Sequence, residues 1–447
     1  MKIHFIGIGG IGVSALARYY LAQGHEVSGS DLVSSEITKT LKKLGAKIFI
    51  GHKISNLKTQ KSKLKTKNYI LPDLIIYSPA VQLNNPELKA AKKFSIKCLS
   101  YPEALGELTK KHFTIAVCGT HGKSTTTALI GLILTKAGFD PTVILGTKLK
   151  EFGDSNCRVG KSKYLVIEAD EHFASFLNYW PKIIVLTTLE PDHLDYYKNF
   201  KNYLQAFKNF ILHLPKDGIL IANGDDENIS KLTTQITKPD FKILTYSLKD
   251  KAAKKIKKIL KIPGEFNVSN ALSSLKLAQV LKIPQKIAFS VFSQYKGAWR
   301  RFEIKRGRIG QKRFILIHDY AHHPTEIRET LKAAREKFKN KIIWCIFQPH
   351  QYQRTFYLFE DFVKTLKEAP VDKLILTDIY EVAGRENKKI QKLVSAQKLV
   401  KTINKNSVIF VKKSQIKNFL KNNLNGGEIV IFMGAGDIYQ IASTLVI

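Results

Sequence analysis

Over the first ~105 residues, short apolar runs alternate with stretches whose apolar positions recur every three or four residues. Lys2–Ile8, Glu26–Ser30 and Leu74–Tyr77 read as strands, and Gly12–Gln23 and Glu36–Leu44 as amphipathic helices. Strands separated by helical patterns imply βαβ units and a parallel sheet. The lysine-rich stretch Gln60–Asn68 breaks the pattern and predicts a surface loop. The alternation resumes with strands at Phe113–Cys118, Tyr164–Ile167, Ile183–Thr187 and Ile219–Ala222, and a helix over Thr126–Ala137. Lys249–Lys261 is basic, carries Leu and Ile at helical intervals and stops at Pro263-Gly264. A third set of strands follows Lys296–Arg301, at Phe314–Ile317, Ile342–Phe347, Lys373–Thr377, Val408–Val411 and Ile429–Met433. With no internal repeat, the simplest layout is three α/β domains in series, over residues 1–107, 108–297 and 298–447.

Composition narrows the class. The 447 residues are 44% apolar and 24% charged, as in soluble globular proteins, which excludes a disordered or fibrous chain. No segment approaches the ~20 uncharged apolar residues of a membrane helix, and the N-terminal stretch lacks a basic n-region and a cleavage site. The sequence therefore reads as cytoplasmic. The net charge of +35 is large, but lysines occur in every third of the chain without aromatic interleaving or zinc-finger spacing. A nucleic-acid-binding NTPase is favoured by that charge alone; a solvated lysine-rich surface that attracts small anionic substrates is the simpler reading. The four cysteines are far apart, which argues against a disulfide framework or a cysteine zinc site, and Cys118 and Cys345 sit in apolar runs as ordinary buried thiols.

Two glycine motifs carry chemistry. Gly7-Ile8-Gly9-Gly10-Ile11-Gly12 follows a strand and opens a helix, so its backbone can approach a diphosphate at the positive end of the helix dipole. Asp31 lies nineteen residues after Gly12; on spacing alone this spells an NAD site and an oxidoreductase. The stronger motif is Gly119-Thr120-His121-Gly122-Lys123-Ser124-Thr125, a shortened phosphate loop in which Lys123 reaches β/γ-phosphates and Ser124 offers a hydroxyl to Mg²⁺. The acidic clusters Glu168–Glu171 and Glu190–Asp195 follow strands and are suited to hold hard cations beside that loop. Asp319-Tyr320-Ala321-His322-His323-Pro324 and the pair His350 and Arg354 also follow strands. No third His or Cys stands at metal-ligand spacing near His322-His323, which argues against zinc. Arg300-Arg301, at the second domain change, is placed to meet phosphate.

Taken in order, these motifs make the chain resemble the Mur ligases, ATP-dependent amide-bond-forming enzymes of cell-wall precursor synthesis. The resemblance runs nearly end to end. Besides the stretches above it includes Ser28–Asp31, Ser78–Val81 with Asn85-Pro86-Glu87, Gly264–Ala271, Phe347–Thr355 and Gly434–Asp437. It implies a Rossmann-like UDP-binding N-terminal domain, a central P-loop ATPase domain with a mostly parallel sheet and a Rossmann-like C-terminal domain. The substrates it implies are UDP-N-acetylmuramate and L-alanine, with ATP and Mg²⁺, in a monomer or homodimer; sister enzymes attach a recycled tripeptide to the same sugar. By the same resemblance Gly9, Gly10 and Gly12 cradle the diphosphate of a UDP-sugar rather than NAD, Asp31 and His52 face the uridine, and Ser78 lies along the nucleotide. Gly119 to Thr125, Asn267, Arg301 and Asp319 contact ATP; Ser124, Glu168 and His193 hold the metal. His322, His350 and Arg354 face the amino acid, with His193 or His322 nearest to act as base. This chain departs from the family pattern at Thr147, Phe266 and Gln351 and in its short, basic segment 247–263.

Overall fold

The computed structural model describes residues 1–60, 69–237, 239–382 and 386–447. The predicted loop at Gln60–Asn68 therefore lies almost wholly outside the described residues; Gln60 itself ends a short strand.

Three sheets are laid out in sequence order. The first has strands β1 (Lys2–Ile6), β2 (Glu26–Asp31), β3 (Lys47–Ile50), β6 (Leu74–Tyr77) and β7 (Lys97–Ser100), all parallel in the order β3-β2-β1-β6-β7. A two-stranded ribbon, β4 (Thr59–Gln60) with β5 (Tyr69–Ile70), stands apart. The central sheet contains β8 (Phe113–Cys118), β9 (Thr142–Leu149), β10 (Ser155–Arg158), β11 (Tyr164–Glu168), β12 (Ile183–Leu186), β13 (Ile219–Asn223) and β14 (Lys242–Tyr246). Its order is β10-β9-β11-β8-β12-β13-β14, with only edge strand β10 antiparallel. The third contains β15 (Glu303–Ile309), β16 (Lys312–Asp319), β17 (Ile343–Phe347), β18 (Lys373–Leu376), β19 (Val408–Phe410) and β20 (Ile429–Met433), ordered β15-β16-β20-β17-β18-β19 with β15 antiparallel. The three-domain α/β organisation expected from the apolar pattern is what the chain adopts.

The core strands of each sheet are buried on both faces, which is why they read as continuous apolar runs: Ile115, Ala116, Val117 and Cys118 in β8 and Ile429 to Met433 in β20 are all 1% exposed or less. Strands β3, β7, β9, β10, β14 and β15 were not expected. They are edge or near-edge strands, and β3, β7 and β15 mix apolar residues with Lys47, Lys97 and Lys305 in no regular period. The helix after β8 begins at Lys123 rather than Thr126, because Gly122 (φ 83°) caps it directly and leaves no spacer between loop and helix.

The order of strands sets the location of chemistry. In the first sheet the switch falls between β1 and β6, and in the second between β8 and its neighbours; in each case a glycine loop leaves the carboxyl end of the central strand. The four cysteines are free, and Cys118 and Cys345 are fully buried, as expected.

Candidate active site

A cleft of about 460 Å³ runs between the three domains. Its lining takes Gly10, Gly12 and Ser78 from the first domain, His121 to Ser124, Glu168, Asp170, Glu171 and His193 from the second, and Arg301, His322, His350 and Arg354 from the third. That volume falls in the range typical of ligand sites. A narrower cavity of about 140 Å³ adjoins it between the second and third domains, lined by Gly122, Thr125, Asn267, Asn270, Phe302, Asp319 and Glu329. His121, Gly122, Ser124, Arg301 and Glu326 line both, so the phosphate loop is the wall the two cavities share.

Lys123 is folded back over its own loop. Its Nζ donates to the carbonyls of Gly119 (2.7 Å) and Thr120 (3.2 Å) and pairs with both oxygens of Glu171 (2.8 and 2.9 Å). Burial alone would lower its pKa, but the carboxylates of Glu171 and Asp170 outweigh it and hold the ammonium charged. Glu171 is fully buried and pushed up to about 7 by desolvation, with Lys123 pulling the other way. Gly119 and Gly122 have φ of 129° and 83°, and a Cβ at Gly122 would run into the Asn270 amide, so the loop needs glycine at both places.

Around the loop, Ser124 Oγ donates to Glu168 Oε1 (2.9 Å) and lies 3.4 Å from Arg301 Nη2. Glu168 also accepts from Gly146 N. His193 is held instead with Glu171 (3.7 Å) and Asp170, their ligand atoms falling within 4.8 Å of one another. The expected metal set is thus split: Ser124 and Glu168 touch, whereas His193 belongs with the next two acids. Burial pushes His193 down to about 3 and His322 to about 4, so both imidazoles are neutral near pH 7. The oxygen-rich set of Ser124, Glu168, Asp170 and Glu171 beside a phosphate loop fits a hard divalent cation.

At the far end of the cleft, Arg354 is buried and paired with Asp192 (3.2 Å), and His350 lies against it (3.3 Å) while stacking on Tyr380. Burial, with the charge of Arg354 nearby, pushes His350 down to about 2. Burial would raise Asp192, but Arg354 overrides it and holds this carboxyl well below the usual range. Arg354, expected to face an amino acid, therefore already has a carboxylate partner from the central domain.

Some expected residues are shaping groups in this structure. Asp31 accepts from the amide of Gly9 (2.7 Å), and neither lines the cleft. His52 is tied to Ser30 (2.9 Å) and to buried Glu87 (3.2 Å), away from the lining. Asp319 lines the narrow cavity, but its carboxylate accepts from the amides of Phe302 and Ala321 (2.8 Å each), and burial raises it to about 6. Asn267 lines the same cavity and donates to the carbonyl of Pro263 (2.6 Å). Two residues have no individual role in the motif reading: Glu326, which contacts His121 (3.2 Å), His322 (3.2 Å) and Arg301 (3.9 Å), and Asn270. The position of Glu326, in the first turn of a helix capped by His323 after the Asp319 strand, was the available signal.

A phosphate loop shared by two interdomain cavities, with acids on one side and a cleft reaching a second glycine loop, defines a class of nucleotide-dependent ligases. Residues 2–113 match the Mur ligase family catalytic domain, 117–278 the Mur ligase middle domain and 300–436 the Mur ligase glutamate ligase domain; the chain belongs to the Mur ligase family. Over 98% of its length it is 40% identical to UDP-N-acetylmuramate–L-alanine ligase of Clostridium acetobutylicum, 96% of which is covered. It is 38% identical to the enzyme of the same name from Acetivibrio thermocellus, with 98% and 94% of the two chains covered. Among solved structures, UDP-N-acetylmuramate–alanine ligase from Thermotoga maritima superposes with a TM-score of 0.78 at 28% identity, over 99% and 98% of the two chains. The fold is also shared with a murein peptide ligase from Psychrobacter arcticus (TM-score 0.71, 24% identity, 99% and 98% covered). Family membership sets aside the NAD reading of the first glycine loop. Among the described residues no helix is long and apolar enough to cross a membrane.

Proposed function

We propose that this chain joins L-alanine to the lactyl carboxylate of UDP-N-acetylmuramate, converting ATP to ADP and phosphate, in the cytoplasmic synthesis of peptidoglycan precursors. The observation that carries the reading is the phosphate loop, whose His121, Gly122 and Ser124 line both the narrow cavity and the three-domain cleft while Lys123 lines the cleft. A carboxylate oxygen is a poor leaving group, so the carboxylate is first phosphorylated. The γ-phosphoryl group moves from ATP to the lactyl carboxylate, leaving ADP and an acyl phosphate. The amino group of alanine then attacks the acyl carbon, phosphate departs from the tetrahedral intermediate and the amide remains.

Each group has a task in that sequence. Gly119 to Thr125, with Asn267, Arg301 and Asp319 along the narrow cavity, receive ATP. Gly10, Gly12 and Ser78 receive the diphosphate side of the sugar nucleotide; Asp31 acts by fixing Gly9 and the shape of that loop, and His52 by fixing the strand end beside it. Two anions must meet, so Lys123, released from Glu171, and Arg301 offset their repulsion and stabilise the transferring phosphoryl group. Ser124 and Glu168 would hold Mg²⁺, which would supply further charge neutralisation on the phosphates, with His193 joining them by a shift from Asp170 and Glu171. His193 or His322, neutral at pH 7, takes the amine proton. Arg354 with His350 receives the alanine carboxylate by exchange against Asp192. Enclosure by three domains keeps water from the acyl phosphate.

The test is ATP-dependent phosphate release with Mg²⁺ and UDP-N-acetylmuramate, screened across L-alanine, glycine, L-serine and the muropeptide tripeptide. Release with L-alanine and formation of the alanyl product are expected. Turnover with the tripeptide in its place would assign the chain to the recycling branch, and ATP consumption with neither would overturn the reading.

A further inference from the structure

Three side chains that no step above uses together converge where the second and third domains meet. His121 comes from the phosphate loop, Glu190 from the turn after β12, and His323 caps the helix Pro324–Lys337 of the third domain. His121 Nε2 is 3.4 Å and His323 Nδ1 3.8 Å from the same oxygen, Glu190 Oε2. The three ligand atoms lie within 4.8 Å of one another. Tetrahedral bonds of about 2.0–2.2 Å place neighbouring ligand atoms roughly 3.3–3.5 Å apart, so closing on an ion asks for small side-chain shifts.

The outer atoms make the case specific. His121 Nδ1 lies 3.2 Å from Glu326 Oε1, and His323 Nε2 lies 3.2 Å from the carbonyl oxygen of Pro191. Glu326 and the Pro191 carbonyl each accept from the outer ring nitrogen, which leaves His121 Nε2 and His323 Nδ1 on the side of Glu190, and an ion binding there displaces the proton that His121 Nε2 donates to Glu190. A carboxylate and a backbone carbonyl behind the imidazoles are the usual outer partners of metal-bound histidines. Thr325 Oγ1 donates to Glu190 Oε2 (2.5 Å) and steadies the third ligand, while the amide of Thr325 makes a long contact (3.3 Å) to His323 Nδ1 that an ion would replace.

We propose that His121, Glu190 and His323 form a site for a zinc-class divalent transition ion that fastens the third domain to the phosphate loop. Two imidazoles and one carboxylate select such an ion over Mg²⁺. Because His121 is part of the loop that faces both cavities, an ion here competes with ATP phosphates and holds the domains against the opening that substrate exchange requires. The site is therefore inhibitory. Sequence spacing conceals it, since 69 residues separate His121 from Glu190 and 133 separate Glu190 from His323.

The experiment titrates chelator-treated full-length protein with Co²⁺, read by its visible ligand-field absorption. One equivalent is expected to give an intense low-symmetry spectrum that Zn²⁺ abolishes and millimolar Mg²⁺ does not. His323→Gln and Glu190→Gln, each checked for folding by circular dichroism, should lose it, and Glu326→Gln should weaken binding about ten- to a hundredfold. His193→Ala should keep it, which separates this site from the Asp170–Glu171–His193 cluster. Zn²⁺ should raise the melting temperature and inhibit phosphate release competitively with ATP in the parent protein, and do neither in His323→Gln. A spectrum that persists in both folded ligand variants, one that disappears in His193→Ala, or none at all would overturn the proposal.

Discussion

The two glycine loops begin alike and end differently. Both leave a buried parallel strand and open a helix, at Gly7–Gly12 and Gly119–Lys123. In the first, the charged group on the loop backbone is an anion: Asp31 takes the Gly9 amide, the Gly10 amide turns back to the Gly7 carbonyl, and Gly10 to Gly12 line the cleft at a helix N-terminus. In the second, a lysine is held in reserve by Glu171 and two loop carbonyls, and an imidazole beside it is held by Glu190 and Glu326. A fixed cradle serves to bind a diphosphate, because the aligned amides need no rearrangement. A loop with a movable cation serves a reaction in which charge shifts between oxygens. The same local geometry thus supports recognition in one domain and chemistry in the other, and the neighbouring carboxylate decides which.

Lys123→Ala should give the largest effect, lowering phosphate release by about 10²–10³-fold or more while the circular dichroism spectrum and sugar-nucleotide binding persist. Undiminished turnover would break the contrast between the loops. Arg354→Ala comes next. It should raise KM for the amino acid by roughly tenfold or more, and, by leaving Asp192 buried without its partner, lower stability by about 3–5 kcal/mol. Adding Asp192→Asn should recover much of the melting temperature but not the KM, and recovery of both would make Arg354 purely structural. Asp31→Ala should act on the other loop alone, raising KM for the UDP-sugar several-fold with the affinity for ATP unchanged in calorimetry.

The smallest effect is one of pH. His121 is pushed up to about 9, because its bonds to Glu190 and Glu326 outweigh burial. A group raised in the folded state contributes stability that is complete below its unfolded pKa, near 6.5, and is lost as pH rises through about 9. The melting temperature of the parent protein should therefore fall more steeply between pH 6.5 and 9 than that of His121→Gln. Parallel curves would mean that His121 carries no titrating charge across that range.

Much of the fold is legible in the order of apolar runs along the chain. β6 and β20 occur where the apolar runs place them, residue for residue, because strands covered on both faces cannot afford polar positions. The edge strands β3, β7 and β15 escaped, since a strand with one open face keeps its lysines and its apolar residues in no distinctive order. Within the site, motif residues such as Gly10, Ser124, Arg301, His322 and Arg354 do gather on one cleft. Their partners were not legible: Glu171 on Lys123, Asp192 on Arg354, and Glu326 on His121, His322 and Arg301.

The chain on its own determined three parallel-sheet domains, two glycine loops and the residue types of a phosphoryl-transfer site, because periodicity, turn chemistry and loop composition act over neighbouring residues. Tertiary structure alone decided which carboxylate holds which cation and which histidines stay neutral. Those outcomes depend on burial and on distances of a few ångströms between groups as far apart as His121 and Glu326, and such distances exist only once the domains have packed together.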